Sequence, residues 1–270
     1  MSQPLVQRRS VVDKIVAATR ARVEREKEKI SRDALRTMNL EPRQPLDFAA
    51  PFREDGLHVI AEVKLATPSE GEIGKNLNPL DVANAYARNG AAAISVLTEP
   101  EFFQGNIDYL ARIRRDVSVP LLMKDFFVDD YQVTQAWVYG ADCVLLIVSV
   151  LGRDGLHDLL QAARELGLSA LVEVHTEWET ETALKEGAVL IGVNNRDLQT
   201  LKTDLEVSKR LARYAGRDGV VLISESGIRT REEMETLRGL GYRGFLVGTR
   251  LIKSGRPGAA LAELLGREAA

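Results

Sequence analysis

From His58 onward the chain alternates short apolar runs rich in Val, Ile and Leu with longer amphipathic stretches. Successive runs begin roughly 20 to 35 residues apart. That is the size of a βα unit. Strands are predicted at His58–Lys64, Ala92–Thr98, Val119–Asp125, Asp142–Val148, Ala170–His175, Val189–Asn194, Val220–Glu225 and Gly244–Val247. Two of them read as near-continuous apolar runs, Cys143–Val150 and Val220–Ile223, as strands buried on both faces should. Cap-type or acidic residues mark helix starts at Pro79-Leu80-Asp81, Asp129-Asp130, Thr176-Glu177, Asp204 and Thr230-Arg231-Glu232-Glu233. Gly90, Gly140, Gly167, Gly187 and Gly241 stand where helices should stop, shortly before the next strand.

This repeat predicts an α/β fold, a (β/α)8 TIM barrel with an N-terminal helical extension. A doubly wound open sheet is the competing architecture, but it usually carries a Gly-rich dinucleotide turn, and no GxGxxG occurs. Residues 1–50 stand outside the repeat and are expected to form the extension, with 51–270 as one barrel domain. In the extension, Val11, Val12, Ile15 and Val16 have helical spacing, an alternating-charge stretch follows from Arg22 to Lys29, and Pro42, Pro45 and Pro51 loosen what comes next. A solvated helix packed on the barrel by one apolar stripe is the expected arrangement; a lid over the barrel mouth is the alternative.

Composition narrows the function classes. The chain has 270 residues, 45% hydrophobic and 28% charged, with a formal net charge of -3 and a pI near 5.8. It lacks the positive field that dominates nucleic-acid binding, so nucleic acid is not an expected partner. Cys143 is the single cysteine, which excludes an intrachain disulfide and a Cys-cluster zinc site and suits a reducing compartment. His58, His157 and His175 show no metal-ligand spacing, and His175 is expected to be a hydrogen-bonded structural group. No secretory or membrane-spanning run is legible, so the expected place is the cytoplasm, with no membrane partner.

Barrel active sites form at the C-terminal ends of the strands, which makes polar residues there informative. Glu62 and Lys64 end the first strand and share a face by alternation; Lys124 ends the third, and Glu173 lies between valines in the fifth. An unpaired ion in the interior costs several kcal/mol, so four are hard to justify by stability. Two Glu and two Lys sum to zero charge and are expected to satisfy one another. A buried ion-pair network is one reading; an acid/base set with tuned pKa values is the other. The sixth strand ends Asn194-Asn195-Arg196-Asp197-Leu198, a neutral hydrogen-bonding group followed by a fork for an anion, or equally a capped loop.

Glycine-containing turns follow the last two strands, at Ser226-Gly227 and Gly248-Thr249. Many barrels bind phosphate there. Thr67, in the loop after the first strand, adds a hydroxyl. The pairs Phe102-Phe103 and Phe126-Phe127 sit in loops above the mouth, and one ring of each is expected to wall an aromatic substrate while the other packs.

As a set, Ile60-Ala61-Glu62-Val63-Lys64 with Thr67-Pro68-Ser69, Ser95-Val96-Leu97-Thr98-Glu99 with Phe103-Gln104-Gly105, Leu122-Met123-Lys124-Asp125-Phe126, Val172-Glu173-Val174-His175, Gly192-Val193-Asn194-Asn195-Arg196-Asp197-Leu198, Glu225-Ser226-Gly227-Ile228 and Gly248-Thr249 resemble indole-3-glycerol-phosphate synthase in family order. The resemblance implies a carboxy-lyase of tryptophan biosynthesis. Its reaction is ring closure of 1-(2-carboxyphenylamino)-1-deoxy-D-ribulose 5-phosphate to indole-3-glycerol phosphate, without metal or organic cofactor.

By the same resemblance, Lys124 is the general acid, and Lys64 binds the departing carboxylate and shares acid duty. Glu173 supports the cationic intermediate and takes part in dehydration, while Glu62 and Asn194 bind substrate hydroxyls. Arg196 contacts the aryl carboxylate, Ser226, Gly227, Gly248 and Thr249 hold the phosphate, and Phe103, Phe126, Leu145 and Leu198 form the apolar slot. A monomer or weak homo-oligomer is expected, with association with other tryptophan-pathway enzymes left open.

Three departures from the family pattern stand out. They are Leu65 and Thr67 in the first loop, Glu70 and Glu72 in the same loop, and Thr249-Arg250 after the last strand. Another phosphate-binding barrel, a phosphoribosylanthranilate isomerase or a Schiff-base aldolase using Lys124, is the enzymatic rival. A barrel retained as a binding or scaffold subunit is the rival from another class.

Overall fold

A computed structural model describes residues 10–38, 43–68 and 70–270; Ser69, Pro42 and the first nine residues of the expected extension lie outside them. Eight parallel strands close into a barrel: β1 (His58–Val63), β2 (Ala93–Leu97), β3 (Leu121–Lys124), β4 (Cys143–Ile147), β5 (Ser169–Val174), β6 (Leu190–Asn194), β7 (Val221–Glu225) and β8 (Tyr242–Val247). Each hydrogen-bonds its sequence neighbours, and β1 pairs with β8 to complete the ring. All eight lie where the apolar runs predicted them. The third begins two residues late, after Pro120, which has no N–H to give a ladder. The eighth begins two residues early, with an irregular register between Tyr242 and Gly244.

Helices α1 (Val11–Lys29) and α2 (Arg32–Thr37) precede the barrel, and α3 (Pro79–Arg88), α4 (Ile107–Asp116), α5 (Asp130–Val138), α6 (Val148–Glu165), α7 (Glu177–Lys185), α8 (Glu206–Ala215), α9 (Arg231–Gly239), α10 (Thr249–Lys253) and α11 (Pro257–Leu265) follow its strands. Asp129 and Thr176 cap α5 and α7, and Thr230 closes a capping box with Glu233 on α9, as the start signals required. The five glycines read as stops all have positive φ. Two of the helices between strands had no recognised start signal. Asn106 caps α4, and α6 starts directly from β4 with a break at Gly152, where φ is 64°.

Alternation along the strands divides the core in two. Val59, Ala61, Val96, Met123, Val144, Val172, Val193 and Leu222 face the helices. Ile60, Leu122, Leu145, Leu171, Leu190, Ile223 and Leu246 fill the barrel, each side chain worth about 1.5–3 kcal/mol of burial. Phe48 and Phe52, from the stretch before β1, are fully buried with this inner set. Gly244 at the start of β8 makes room for them, since a Cβ there would lie 2.6 Å from the Phe52 ring. The inner apolar layers therefore close the barrel at its N-terminal end and leave the C-terminal rim to polar groups.

Ion pairs clamp α1 and α2 to the barrel. Arg22 Nη2 donates to both oxygens of Asp125 at 2.9 Å, Lys27 reaches Asp129 at 2.6 Å, and Arg32 pairs with Asp130. Val23, Leu35 and Tyr131 pack beneath them.

Candidate active site

Strand parity carries functional side chains inward. Glu62 has the parity of Ile60, Lys124 that of Leu122, Glu173 that of Leu171, and Asn194 that of Leu190, so each continues an inner apolar column up to the rim. There the wall opens into a cavity of about 610 Å³. All the residues singled out for catalysis and for substrate or phosphate binding line it: Glu62, Lys64, Thr67, Phe103, Lys124, Phe126, Leu145, Glu173, Asn194, Arg196, Leu198, Ser226, Gly227, Gly248 and Thr249. Val11, Val12 and Ile15 bring the start of α1 to the same mouth.

The ion pairing differs from a closed set of two Glu and two Lys. Lys64 bonds Glu62, but the nearest carboxylate to Lys124 is Glu225, at 2.6 Å, with Glu62 at 3.8 Å. Glu225 ends β7 and shares the inward parity of Ile223. Its strand-end position was the available signal, overlooked because the adjoining Ser226-Gly227 read as a phosphate turn. Three carboxylates thus face Lys64 and Lys124, and Arg196 is close enough for its charge to act on Glu62.

These neighbours set the protonation states. Burial opposes ionisation of Glu62, but Lys64 and Lys124 outweigh it and hold the carboxyl below its usual range. Burial likewise opposes charge on Lys124, yet Glu225, Glu62 and Glu173 keep its pKa above that of an ordinary lysine. Burial pushes the Glu225 carboxyl up to about 7, with Glu173 and Glu62 adding to the shift against the pull of Lys124. A carboxyl poised near neutrality beside a firmly protonated lysine is suited to acid/base work.

Hydrogen bonds orient the rest. Asn194 Nδ2 donates to Glu173 Oε1 at 3.0 Å, and Asn194 Oδ1 accepts the Arg196 N–H at 3.0 Å. Asn195, unassigned from sequence, is 1% exposed; its Nδ2 is 2.9–3.0 Å from Ser224 Oγ, Glu225 O and Ser226 O, while its Oδ1 accepts the Ser208 N–H. This staple holds the turn at Ser226 (φ 64°) and Gly227 (φ 87°). Gly248 is required by proximity, because a Cβ there would lie 2.5 Å from Glu62 Oε1.

The aromatic wall is placed by a second unassigned residue. Glu99 is buried and accepts the backbone N–H groups of Glu101, Phe102 and Phe103 at 2.7–3.0 Å. Phe103 then faces Phe126 with ring centroids 6.4 Å apart, while Phe127 packs in the core, dividing the second pair as expected. The departures have local partners too. Leu65 O accepts from Ile73 and Gly74, folding the first loop into a hairpin of Ala66–Thr67 with Gly71–Glu72, and Glu70 pairs with Lys253.

A model of the family described as "Indole-3-glycerol phosphate synthase" matches residues 12–264. The chain belongs to this family. Among curated indole-3-glycerol phosphate synthases, the protein of Carboxydothermus hydrogenoformans is 46% identical over 261 residues, covering 94% of this chain and 99% of the relative. That of Ruminiclostridium cellulolyticum is 43% identical, covering 95% and 99%. That of Mycolicibacterium gilvum is 43% identical, covering 95% and 94%. Family membership spans the whole barrel and all but the first residue of α1, and no helix among the described residues is long and apolar enough to cross a membrane.

Proposed function

We propose that the chain converts 1-(2-carboxyphenylamino)-1-deoxy-D-ribulose 5-phosphate to indole-3-glycerol phosphate, carbon dioxide and water. The observation that carries this reading is Lys124, half-buried and charged between Glu225 and Glu62, lining a cavity with an aromatic wall and Gly-containing turns. Such a cavity clamps a flexible substrate by its ring and its phosphate in a near-attack pose.

In the proposed sequence, the ring carbon bearing the carboxylate attacks the ketone carbon while the Lys124 ammonium protonates the ketone oxygen. Positive charge then spreads over the ring and its nitrogen, facing Glu173. The carboxylate, held by Lys64 and Arg196, leaves as carbon dioxide and returns its bonding pair to the ring. Loss of the new hydroxyl as water, with acid help from Lys64 or Lys124, and of a proton toward Glu173 completes the indole. Glu62 and Asn194 bind the chain hydroxyls. Ser226, Gly227, Gly248 and Thr249 hold the phosphate, with Thr67 at the cavity edge, and Phe103, Phe126, Leu145 and Leu198 surround the ring.

Schiff-base aldolase chemistry is disfavoured by the same lysine. A nucleophilic amine must be neutral, and the carboxylates around Lys124 raise its pKa. The test is an indole-fluorescence assay on the purified chain with the carboxyphenylamino deoxyribulose phosphate. Product formation is expected; no indole signal, or borohydride trapping of a substrate ketone on Lys124, would sink the assignment.

We further propose residues 1–50 as an extension to a single barrel domain at 51–270, a cytoplasmic location, and a monomer or weak homo-oligomer in solution. Sedimentation analysis of the purified chain checks the last.

A further inference from the structure

His175 lies two residues beyond Glu173, just past the end of β5. Its side chain is 13% exposed and stands behind Glu173, outside the cavity lining. On one side, ring Nδ1 is 3.3 Å from Glu179 Oε2, the same oxygen that accepts the His175 backbone N–H at 2.6 Å. Glu179 belongs to the first turn of α7, where its own N–H is capped by Thr176. On the other side, ring Nε2 is buried and makes no well-aligned hydrogen bond, with Glu173 Oε1 3.3 Å away. The imidazole is therefore held between two carboxylates.

A neutral imidazole has one N–H and one lone pair, so in either tautomer a lone pair would face a carboxylate. An imidazolium turns an N–H and positive charge toward each of them. The Glu173 side needs such a donor, because Asn194 supplies only one neutral hydrogen bond to Glu173 Oε1 and the charge of Glu225 acts on the same carboxylate. We propose that His175 acts as an imidazolium that orients Glu173, a positioning residue for the ring closure; this rests on the role given to Glu173 above.

The surrounding charges favour that state. Burial opposes protonation of His175, but the Glu179 hydrogen bond and the fields of Glu173, Glu179 and Glu225 raise its pKa above the ordinary histidine value. The groups acting on it come from β5 (Glu173), α7 (Glu179), β7 (Glu225) and the loop after β6 (Asp197), and all are acidic. A group with a raised pKa keeps its proton to higher pH than an ordinary histidine and loses it as pH climbs through the folded value. The imidazolium should therefore appear as an alkaline limb in kcat.

The chain has three histidines, so a ring-nitrogen NMR titration of the full-length protein is tractable, with His175→Gln assigning the signal. At pH 7 both His175 nitrogens should show imidazolium shifts, and Glu179→Gln should lower the titration midpoint by about one pH unit. In kinetics, Glu179→Gln should move the alkaline limb of kcat down by a similar amount. His175→Gln should remove that limb and lower kcat roughly 10-fold with little change in KM. A neutral-imidazole signature at pH 7, or kcat profiles unchanged in both variants, would overturn the proposal. The ring-nitrogen titration needs no substrate and product formation needs only the wild type, so failure of the charge state and failure of the reaction are read separately.

Discussion

Glu225 Oε2 lies 2.6 Å from Lys124 Nζ, joining the ends of β7 and β3 across the barrel. Glu225 is buried and Lys124 half-buried beside it, so each is the other's main means of carrying charge there. Lys124→Ala should lower kcat by roughly 100-fold or more, as loss of a general acid does, and leave Glu225 to take up a proton. A near-normal kcat in a steady-state indole assay would contradict the role.

The same pair sets the acid side of the pH profile. Because the Glu225 carboxyl is pushed up to about 7, it gains a proton as pH falls through that value and releases its hold on Lys124. Activity should therefore drop below about pH 7, and Glu225→Gln should be slow at all pH values and lack this limb. An acid limb that persists unchanged in the variant would assign it elsewhere.

Gly192 in β6 lies against this carboxylate, and a Cβ there would come within 2.0 Å of Glu225 Oε1. Gly192→Ala should displace Glu225 rather than unfold the barrel, at a cost of about 1–3 kcal/mol for overpacking. We expect a lower kcat and a weakened acid limb, resembling Glu225→Gln, in a protein whose circular dichroism is unchanged. Wild-type kinetics in Gly192→Ala would show that the carboxylate position is not critical.

At the opposite end of the barrel, Asp142 is fully buried and accepts from Arg43 Nη1 (2.6 Å), Arg114 Nη1 (2.9 Å) and the backbone N–H groups of Leu46 and Leu121 (both 2.8 Å). Asp142→Ala leaves two guanidinium groups without their anion and should cost about 3–5 kcal/mol in urea unfolding. Since this knot is remote from the strand C-termini, kcat per folded molecule should be unaltered.

Arg22 ties α1 to Asp125, the residue next to Lys124; Asp125 also accepts from Thr98 Oγ1 and the Phe126 N–H. Arg22→Ala leaves that carboxylate with neutral donors only and loosens the helix whose first turn lines the cavity. KM should rise several-fold, more than kcat falls, and limited proteolysis should cut α1 faster. Equal proteolysis rates and an unchanged KM would show that α1 is held without this pair.

Much of the barrel was legible because its signals are local. Apolar runs, caps and stop glycines located all eight strands and most helices, and period-two alternation turned Glu62, Lys124, Glu173 and Asn194 inward with Ile60, Leu122, Leu171 and Leu190. The hairpin of Ala66–Thr67 with Gly71–Glu72 was not legible, being two residues per strand and too short for any period to show.

By itself, then, the sequence determined which side chains stand at the strand C-termini and point inward, since a side chain's face depends only on its own strand. Which of them meet was decided by closure of the sheet. Lys124 finds Glu225 at a separation of 101 residues, and Arg22 finds Asp125 at 103. Asn195 braces the turn at Ser226, and Phe52 enters the space left by Gly244. Such distances follow from strand order, tilt and stagger around the whole ring, properties that no single strand encodes.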